Sequence, residues 1–152
     1  MPLESEINKG RERHEKEWGY EDWIENDEAI NYCGKLLVLK RQYHCSLHYH
    51  KIKEETFYVN KGLVLMEYDG EKIVMTPGNS LRIRREKRHR FTGFSDAEII
   101  EFSTFHREND SYREQPSGKW TDDEFKQIQD EFRLSWLPKY IDEIGKKFYT
   151  QG

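Results

Sequence analysis

The stretch HYHKIKEETFYVNKG, His48 to Gly62, decides how the rest of the chain is read. Its histidines are two residues apart, so a β-strand would project both from one face, and Glu55 follows on the same side. Three convergent nitrogen and oxygen donors make a metal site. A His-x-His pair on a solvated strand is common without one, and here the surroundings carry the argument. Phe57, Tyr58 and Val59 are β-formers, and Asn60-Lys61-Gly62 reads as a turn before the apolar run Leu63 to Met66, with Gly62 free to take positive φ. The pattern predicts a hairpin that carries ligands.

Toward the C-terminus, Asp69-Gly70 marks a tight hairpin, Ile73-Val74-Met75 is its return strand, and Met66 and Met75 are core fillers. Gly70 to Gly78 then leads into LRIRREKRHRF, where Leu81 and Ile83 alternate with arginines. His89 follows a short loop and offers a fourth ligand from a second hairpin. Most charges of the basic run read as an outward, solvated face. Arg84, Arg85 and Arg88 nevertheless lie in the loop before His89, and the planar fork of Arg85 or Arg88 suits a phosphate or carboxylate of a substrate.

Toward the N-terminus the chain reads KLLVLKRQYHCSLHYH. Leu36 to Leu39 form a buried strand, and the even positions Gln42, His44, Ser46, His48 and His50 share the ligand face. His44 is then either a pocket-lining substrate contact or a histidine satisfied by a nearby hydrogen bond. Lys51 and Lys53 read as solvated loop residues. Trp18 to Ile24 reads as a short edge segment, and residues 1–17, dense in both charge signs, as a flexible charged arm.

Beyond Phe91 to Phe94, Ala97 to Thr104 alternates as a strand. Its Glu101, flanked by Ile100 and Phe102, either points outward and pairs with a cation or points inward as an acid/base group with a raised pKa. His106 is an alternative ligand beyond the expected barrel mouth. Thr121 to Glu124 is a capping box, and Phe125, Ile128, Phe132 and Trp136 recur at helical spacing. Pro138 interrupts that pattern, and Tyr140, Ile141, Ile144 and Phe148 continue it, so residues 119–150 read as C-terminal helices packed on a barrel of residues 18–115.

The order His48-x-His50-x4-Glu55-x6-Gly62, then Pro77-Gly78-Asn79-Ser80-Leu81-x-Ile83 and His89, resembles the two motifs of the cupin superfamily over roughly residues 17–113. The second motif is looser: Asn79 stands where Asp is common, and Arg84-Arg85-Glu86 where the family often has Pro-Pro-Gly. Gln42 replaces the Gly that usually opens the first. The Trp18-Gly19 pair and the Tyr32-Cys33-Gly34-Lys35 run are similar to the start of sugar-isomerase-like cupins, the D-lyxose isomerase-like and type II mannose-6-phosphate isomerase-like proteins. The resemblance implies an all-β double-stranded β-helix, or jelly-roll barrel, with a C-terminal α-helical appendage. It implies one divalent transition metal, Mn, Zn, Co, Ni or Fe, on His48, His50, Glu55 and His89. It turns Glu101 inward as the catalytic acid/base, and it places Asp110 and Arg113 in a Glu-Asp-x-x-Arg exit, with Arg113 toward substrate.

Composition sets bounds on partners. A chain of 152 residues has room for one core, and its 14% aromatics supply large buried areas although charged residues reach 36%. A net charge of −4 argues against a general nucleic-acid binder. Cys33 and Cys45 are too few for a disulfide framework. With no apolar leader and no membrane-length apolar run, a soluble cytoplasmic protein is expected. Many cupins pair, and Tyr49 and Tyr58 on the outer strand face would serve a homodimer. The expected activity is metal-dependent aldose–ketose isomerisation of a small sugar or sugar phosphate through an enediolate. The alternatives are an Fe-dependent cupin dioxygenase, on the His89-Arg90-Phe91 run, and a non-catalytic sugar-binding cupin.

Overall fold

The computed structural model describes residues 2–7 and 12–132. Contacts divide the chain into two units, Met1–Lys119 and Trp120–Gly152. The first begins with a short helix, α1 (Pro2–Ser5), and is otherwise built of strands: β1 (Glu12–Lys16), β2 (Gly19–Asp27), β3 (Tyr32–Leu39), β4 (Tyr43–His44), β5 (Leu47–Tyr49), β6 (Glu55–Lys61), β7 (Val64–Tyr68), β8 (Glu71–Met75), β9 (Ser80–Ile83), β10 (His89–Gly93), β11 (Ala97–Ser103), β12 (Tyr112–Gln115) and β13 (Gly118–Lys119). One sheet runs β1-β2-β3-β11-β6-β9; the other runs β12-β5-β10-β4-β13, with β7 on β10 and β8 on β7. The fold is the all-β jelly roll expected from the motifs.

Two details of the ligand stretch differ from expectation. No hairpin joins β6 to β7: β6 pairs with β11 and β9, whereas β7 pairs with β10 and β8, so the chain changes sheets at Gly62. Gly62 has φ +80, and a Cβ there would lie 2.3 Å from the Asp96 carbonyl oxygen, so the corner needs glycine. The expected hairpin at Asp69-Gly70 is present, with Tyr68 opposite Glu71 and positive φ at both turn residues. Asn79, where the family commonly has Asp, closes the next turn by accepting the Thr76 N–H.

The N-terminal arm is shorter than the sequence suggested. Glu12–Lys16 is an edge strand on β2, tied by Arg13 to Asp22 at 2.7 Å and by His14 stacked on Trp23 at 4.1 Å. Its alternating charges suit an edge that must not recruit another strand. Trp18 to Ile24 is therefore not an edge: β2 lies inside the sheet, between β1 and β3.

The apolar run of β3 is not buried on both faces. Cys33, Lys35, Leu37 and Leu39 are buried while Leu36 and Val38 are only half-buried, so a lysine shares the inward face. The same grading recurs across the sheet: inward residues run Lys35, Leu37, Leu39 on β3; Glu101, Ile99, Ala97 on β11; Glu55, Phe57, Val59 on β6. One end of the barrel interior is thus ionic. The other is a core of Leu39, Val59, Val64, Met66, Met75 and Ile99, which includes both methionines.

In the second unit, a helix over residues 122–132 (α2) opens with the expected capping box, Thr121 Oγ1 accepting the Glu124 N–H and Glu124 Oε1 accepting the Thr121 N–H, both at 3.1 Å. Trp136, Pro138 and the stripe Tyr140, Ile141, Ile144 and Phe148 lie outside the described residues. Among the described residues no helix is long and apolar enough to cross a membrane.

Candidate metal centre

The ligand stretch places its histidines through one irregularity. His48 pairs with His89, but His44 pairs with Thr92. Three residues separate His44 from His48 along β4 and β5 while only two separate His89 from Thr92 on β10, which reverses the side-chain parity across Cys45-Ser46. Partners across a ladder share a face, and His89 and Thr92 are on opposite faces of β10. His48 therefore turns inward beside His89, whereas His44 turns away from the ligands. The even-position face expected from Gln42 to His50 is broken there. His44 Nδ1 lies 2.8 Å from the Cys45 carbonyl oxygen, and the residue does not line the cavity.

His48, His50 and His89 come together with ligand nitrogens all within 4.8 Å of one another. His50 sits just past β5, where the loop brings it to Glu55 at the start of β6. Its Nε2 is 3.3 Å from Glu55 Oε2, and His89 Nε2 is 3.5 Å from Oε1. Each imidazole is oriented from behind by a main-chain carbonyl: His48 Nδ1 donates to Ser46 at 2.8 Å, His50 Nδ1 to Asp110 at 3.0 Å, and His89 Nδ1 to Lys87 at 2.9 Å. Donation through Nδ1 leaves Nε2 as the ligand atom on all three rings.

The donor set fits a divalent cation on two independent grounds. His89 Nε2 and Glu55 Oε2 are fully buried and make no hydrogen bond. In the neutral ring, Nε2 is an acceptor facing a carboxylate acceptor, an arrangement a shared cation would satisfy. Burial, then the neighbouring His89 and His50, also hold the His48 pKa well below the ordinary histidine value. A neutral imidazole is the ligating form. Burial alone would raise the pKa of Glu55, but the neighbouring Lys53 ammonium, with the nearby His50 and His89 rings, outweighs it and holds the carboxyl well below its usual range.

Beside this cluster lies a cavity of about 140 Å³. His48 and Glu55 border it, with Trp18, Leu37, Phe57 and Phe91 as an apolar wall. Glu101 lines it too: on β11 its flanking Phe102 is 58% exposed, so the apolar neighbours face out and the carboxylate faces in.

Lys53, expected in solvent, is 3% exposed and stands at the middle of the site. Its Nζ is 2.9 Å from Glu101 Oε2, 3.2 Å from Glu55 Oε2 and 3.1 Å from His106 Nδ1. Burial would lower its pKa, but Glu101 and then Glu55 raise it well above the ordinary lysine value. His106 is not part of the histidine cluster. Burial, then Lys53 and Lys35, lower its pKa to about 2, so it is a neutral acceptor for Lys53. The loop carrying Lys53 is held by Asp110, whose carboxylate accepts the N–H groups of Lys51, Ile52 and Lys53 at 3.0, 3.1 and 2.9 Å.

The other expected substrate contacts divide. Arg113 lines the cavity, but Arg85 and Arg88 do not. Arg85 Nε donates to the Ile52 carbonyl, and Arg88 pairs with Glu114 and lies over the Tyr49 ring. Glu86 takes φ +66 in that loop and is exposed. Tyr49 stacks on Tyr112 at 5.1 Å, so part of the ring offered for a dimer is already covered. Sequence reasoning passed over Lys53, Lys35 and Glu21, all of which line the cavity; the one signal for Lys35 was its in-phase spacing with Leu37 and Leu39.

Residues 36–103 match the family model of the cupin domain. No curated protein matches the chain in sequence. Similar solved structures include KdgF from Halomonas sp., 19% identical with a TM-score of 0.60, over 68% of this chain and 94% of that one. Another is Pac13 of Streptomyces, a nucleoside dehydratase, 13% identical with a TM-score of 0.60, over 69% and 85%. A third is an RmlC-like cupin from Shewanella frigidimarina NCIMB 400, 15% identical with a TM-score of 0.60, over 68% and 91%. At these identities the likeness is one of fold. Residues 36–103 are thus similar to the cupin domain, and the solved structures share the jelly-roll fold with this chain.

Proposed function

We infer that the chain is a metal-dependent aldose–ketose isomerase acting on a small sugar. The observation that carries this reading is the Glu101 and Lys53 pair, a buried acid/base group bordering the same cavity as a buried donor set for a divalent cation. His48, His50, His89 and Glu55 would hold that cation. When bound, it would draw charge onto the substrate's carbonyl and neighbouring hydroxyl oxygens and acidify the proton on the carbon beside the carbonyl.

The remaining work falls to the chain's own side chains. Glu101 takes the proton from one carbon and returns it to its neighbour, which a single carboxylate does through an enediolate. Lys53, donating to Oε2 at 2.9 Å, orients the carboxylate and keeps positive charge beside the substrate. Ser103 Oγ donates to the same oxygen at 3.1 Å and fixes the carboxylate's rotation. The wall of Trp18, Leu37, Phe57 and Phe91 limits water at the reacting carbons. Pac13, crystallised with uridine, is a small-molecule enzyme of similar fold, which supports an enzymatic reading.

A non-catalytic sugar-binding barrel needs no acid/base group, and a dioxygenase needs no proton path at Glu101. The test is Glu101→Gln, assayed by NMR for aldose–ketose interconversion and deuterium uptake from solvent. The expected result is unchanged metal content with turnover reduced by about 10²–10⁴-fold. Wild-type turnover in Glu101→Gln, or no interconversion of any four- to six-carbon sugar by the wild type, overturns the reading.

A further inference from the structure

Away from the histidines, the cavity is bordered by a second ion pair, its lysine buried and its glutamate half-buried, that the proton path does not use. Lys35 on β3 is 1% exposed, and its Nζ donates to Glu21 Oε1 on β2 at 3.3 Å. The same ammonium lies 4.2 Å from the centroid of the Trp23 ring, and Trp23 Nε1 donates to the same Glu21 oxygen at 2.9 Å. Both charged residues line the cavity. The ladder puts Lys35 directly opposite Glu101, so the pair sits one strand from the base.

An inventory of donors and acceptors shows what is left over. An ammonium has three N–H donors; Glu21 takes one and the indole face of Trp23 satisfies part of the rest. Glu21 Oε1 accepts twice, while Oε2 has no partner among the described residues. One donor of the buried lysine and one oxygen of the half-buried carboxylate, held by an aromatic ring on a cavity wall, are therefore available to a ligand. Their charges cancel, so this wall attracts no net anion. The nearest analogue in ligand chemistry is a pair of neighbouring hydroxyls, one donating to a carboxylate and the other accepting from an ammonium.

We propose that Glu21 and Lys35 are a diol-reading subsite, which makes the substrate an unphosphorylated sugar whose chain hydroxyls lie against β2 and β3 while its carbonyl end faces the histidines. This rests on the isomerase reading for the orientation of the sugar, but the subsite itself is a statement about binding. Lys16 and Arg113 also line the cavity, on more exposed edge strands, and are where a phosphate would be read if the substrate carried one.

The experiment uses alditols, which have the hydroxyls of a sugar and no carbonyl to isomerise. Erythritol, xylitol and xylitol 5-phosphate are titrated into the metal-loaded protein by calorimetry or ligand-observed NMR, and into Glu21→Gln/Lys35→Met, which removes both charges together. The expected result is binding of a free alditol, weakened about 10–100-fold in the double variant, with no gain from the phosphate. Should the double variant fail to fold, Glu21→Gln alone must weaken the same alditol by about 10-fold. Absence of alditol binding, unchanged binding in the variants, or binding of the phosphate alone overturns the subsite. The two readings separate because alditol binding needs no turnover. Alditol binding lost with Glu21 and Lys35 in a protein that isomerises nothing would leave the subsite standing and the isomerase reading refuted. Isomerisation with an unchanged KM in the double variant would do the reverse.

Discussion

Replacing Asp110 should damage the site without touching a ligand or a base. Its side chain is 3% exposed and its carboxylate accepts three successive main-chain N–H groups of the loop that delivers Lys53 to Glu101. A hydrogen bond to a charged group contributes roughly 1.5–3 kcal/mol, and a buried donor left unpaired costs about 1–3 kcal/mol. Lys51 and Ile52 are exposed, so water can recover much of their loss, but the Lys53 N–H is buried and cannot be resolvated. Asp110→Ala should therefore cost about 3–5 kcal/mol. Asp110→Asn keeps an acceptor for Lys51 and Ile52 while setting an amide donor against the Lys53 N–H, and should cost about 1.5–3 kcal/mol. The assay is urea denaturation with the slope held common, read as the shift in midpoint. A cost under about 1 kcal/mol for the alanine variant, or an asparagine variant as costly as alanine, would refute the reasoning.

Two further outcomes follow from the fold. Gly62→Ala places a Cβ 2.3 Å from the Asp96 carbonyl oxygen at φ +80, so it should destabilise the barrel by at least about 2 kcal/mol in the same assay, whereas a loss within about 0.5 kcal/mol would show that the sheet-switching corner relaxes freely. Cys45 is 4% exposed, and burial pushes its thiol up to about 12. At pH 8 a thiol reagent should leave it unmodified in the folded protein and label it promptly in denaturant; fast labelling of the native protein would contradict that placement.

The clustering of His48, His50 and His89 beside Glu55 was readable because a strand histidine with a second just past its end, a glutamate at a strand start and a glycine at a corner each have a local signature. Asp69-Gly70 and Thr121 to Glu124 were readable for the same reason, their chemistry being complete within a few residues. What failed needed partners far along the chain. The parity of His44 depended on an extra residue at Cys45-Ser46, visible only when β10 sets two residues against three. Lys53 looked solvated because nothing near it announces that Glu55 and Glu101 will share it. Arg85 and Arg88 were drawn toward the mouth by their nearness to His89 in sequence, but the structure gives them the partners Ile52 and Glu114, outside the cavity lining. Glu12 to Lys16 read as an arm because an edge strand tied by side-chain ion pairs has no apolar face to betray it.

The metal centre is the central claim, and elemental analysis tests it most directly. The protein should be purified without nickel resin, alongside His89→Ala, whose ring is the most deeply buried of the three. The account predicts close to one divalent transition metal per wild-type chain and its loss in the variant. No metal in the wild type as purified, and none taken up when Mn, Fe, Co, Ni or Zn is titrated in, would contradict it.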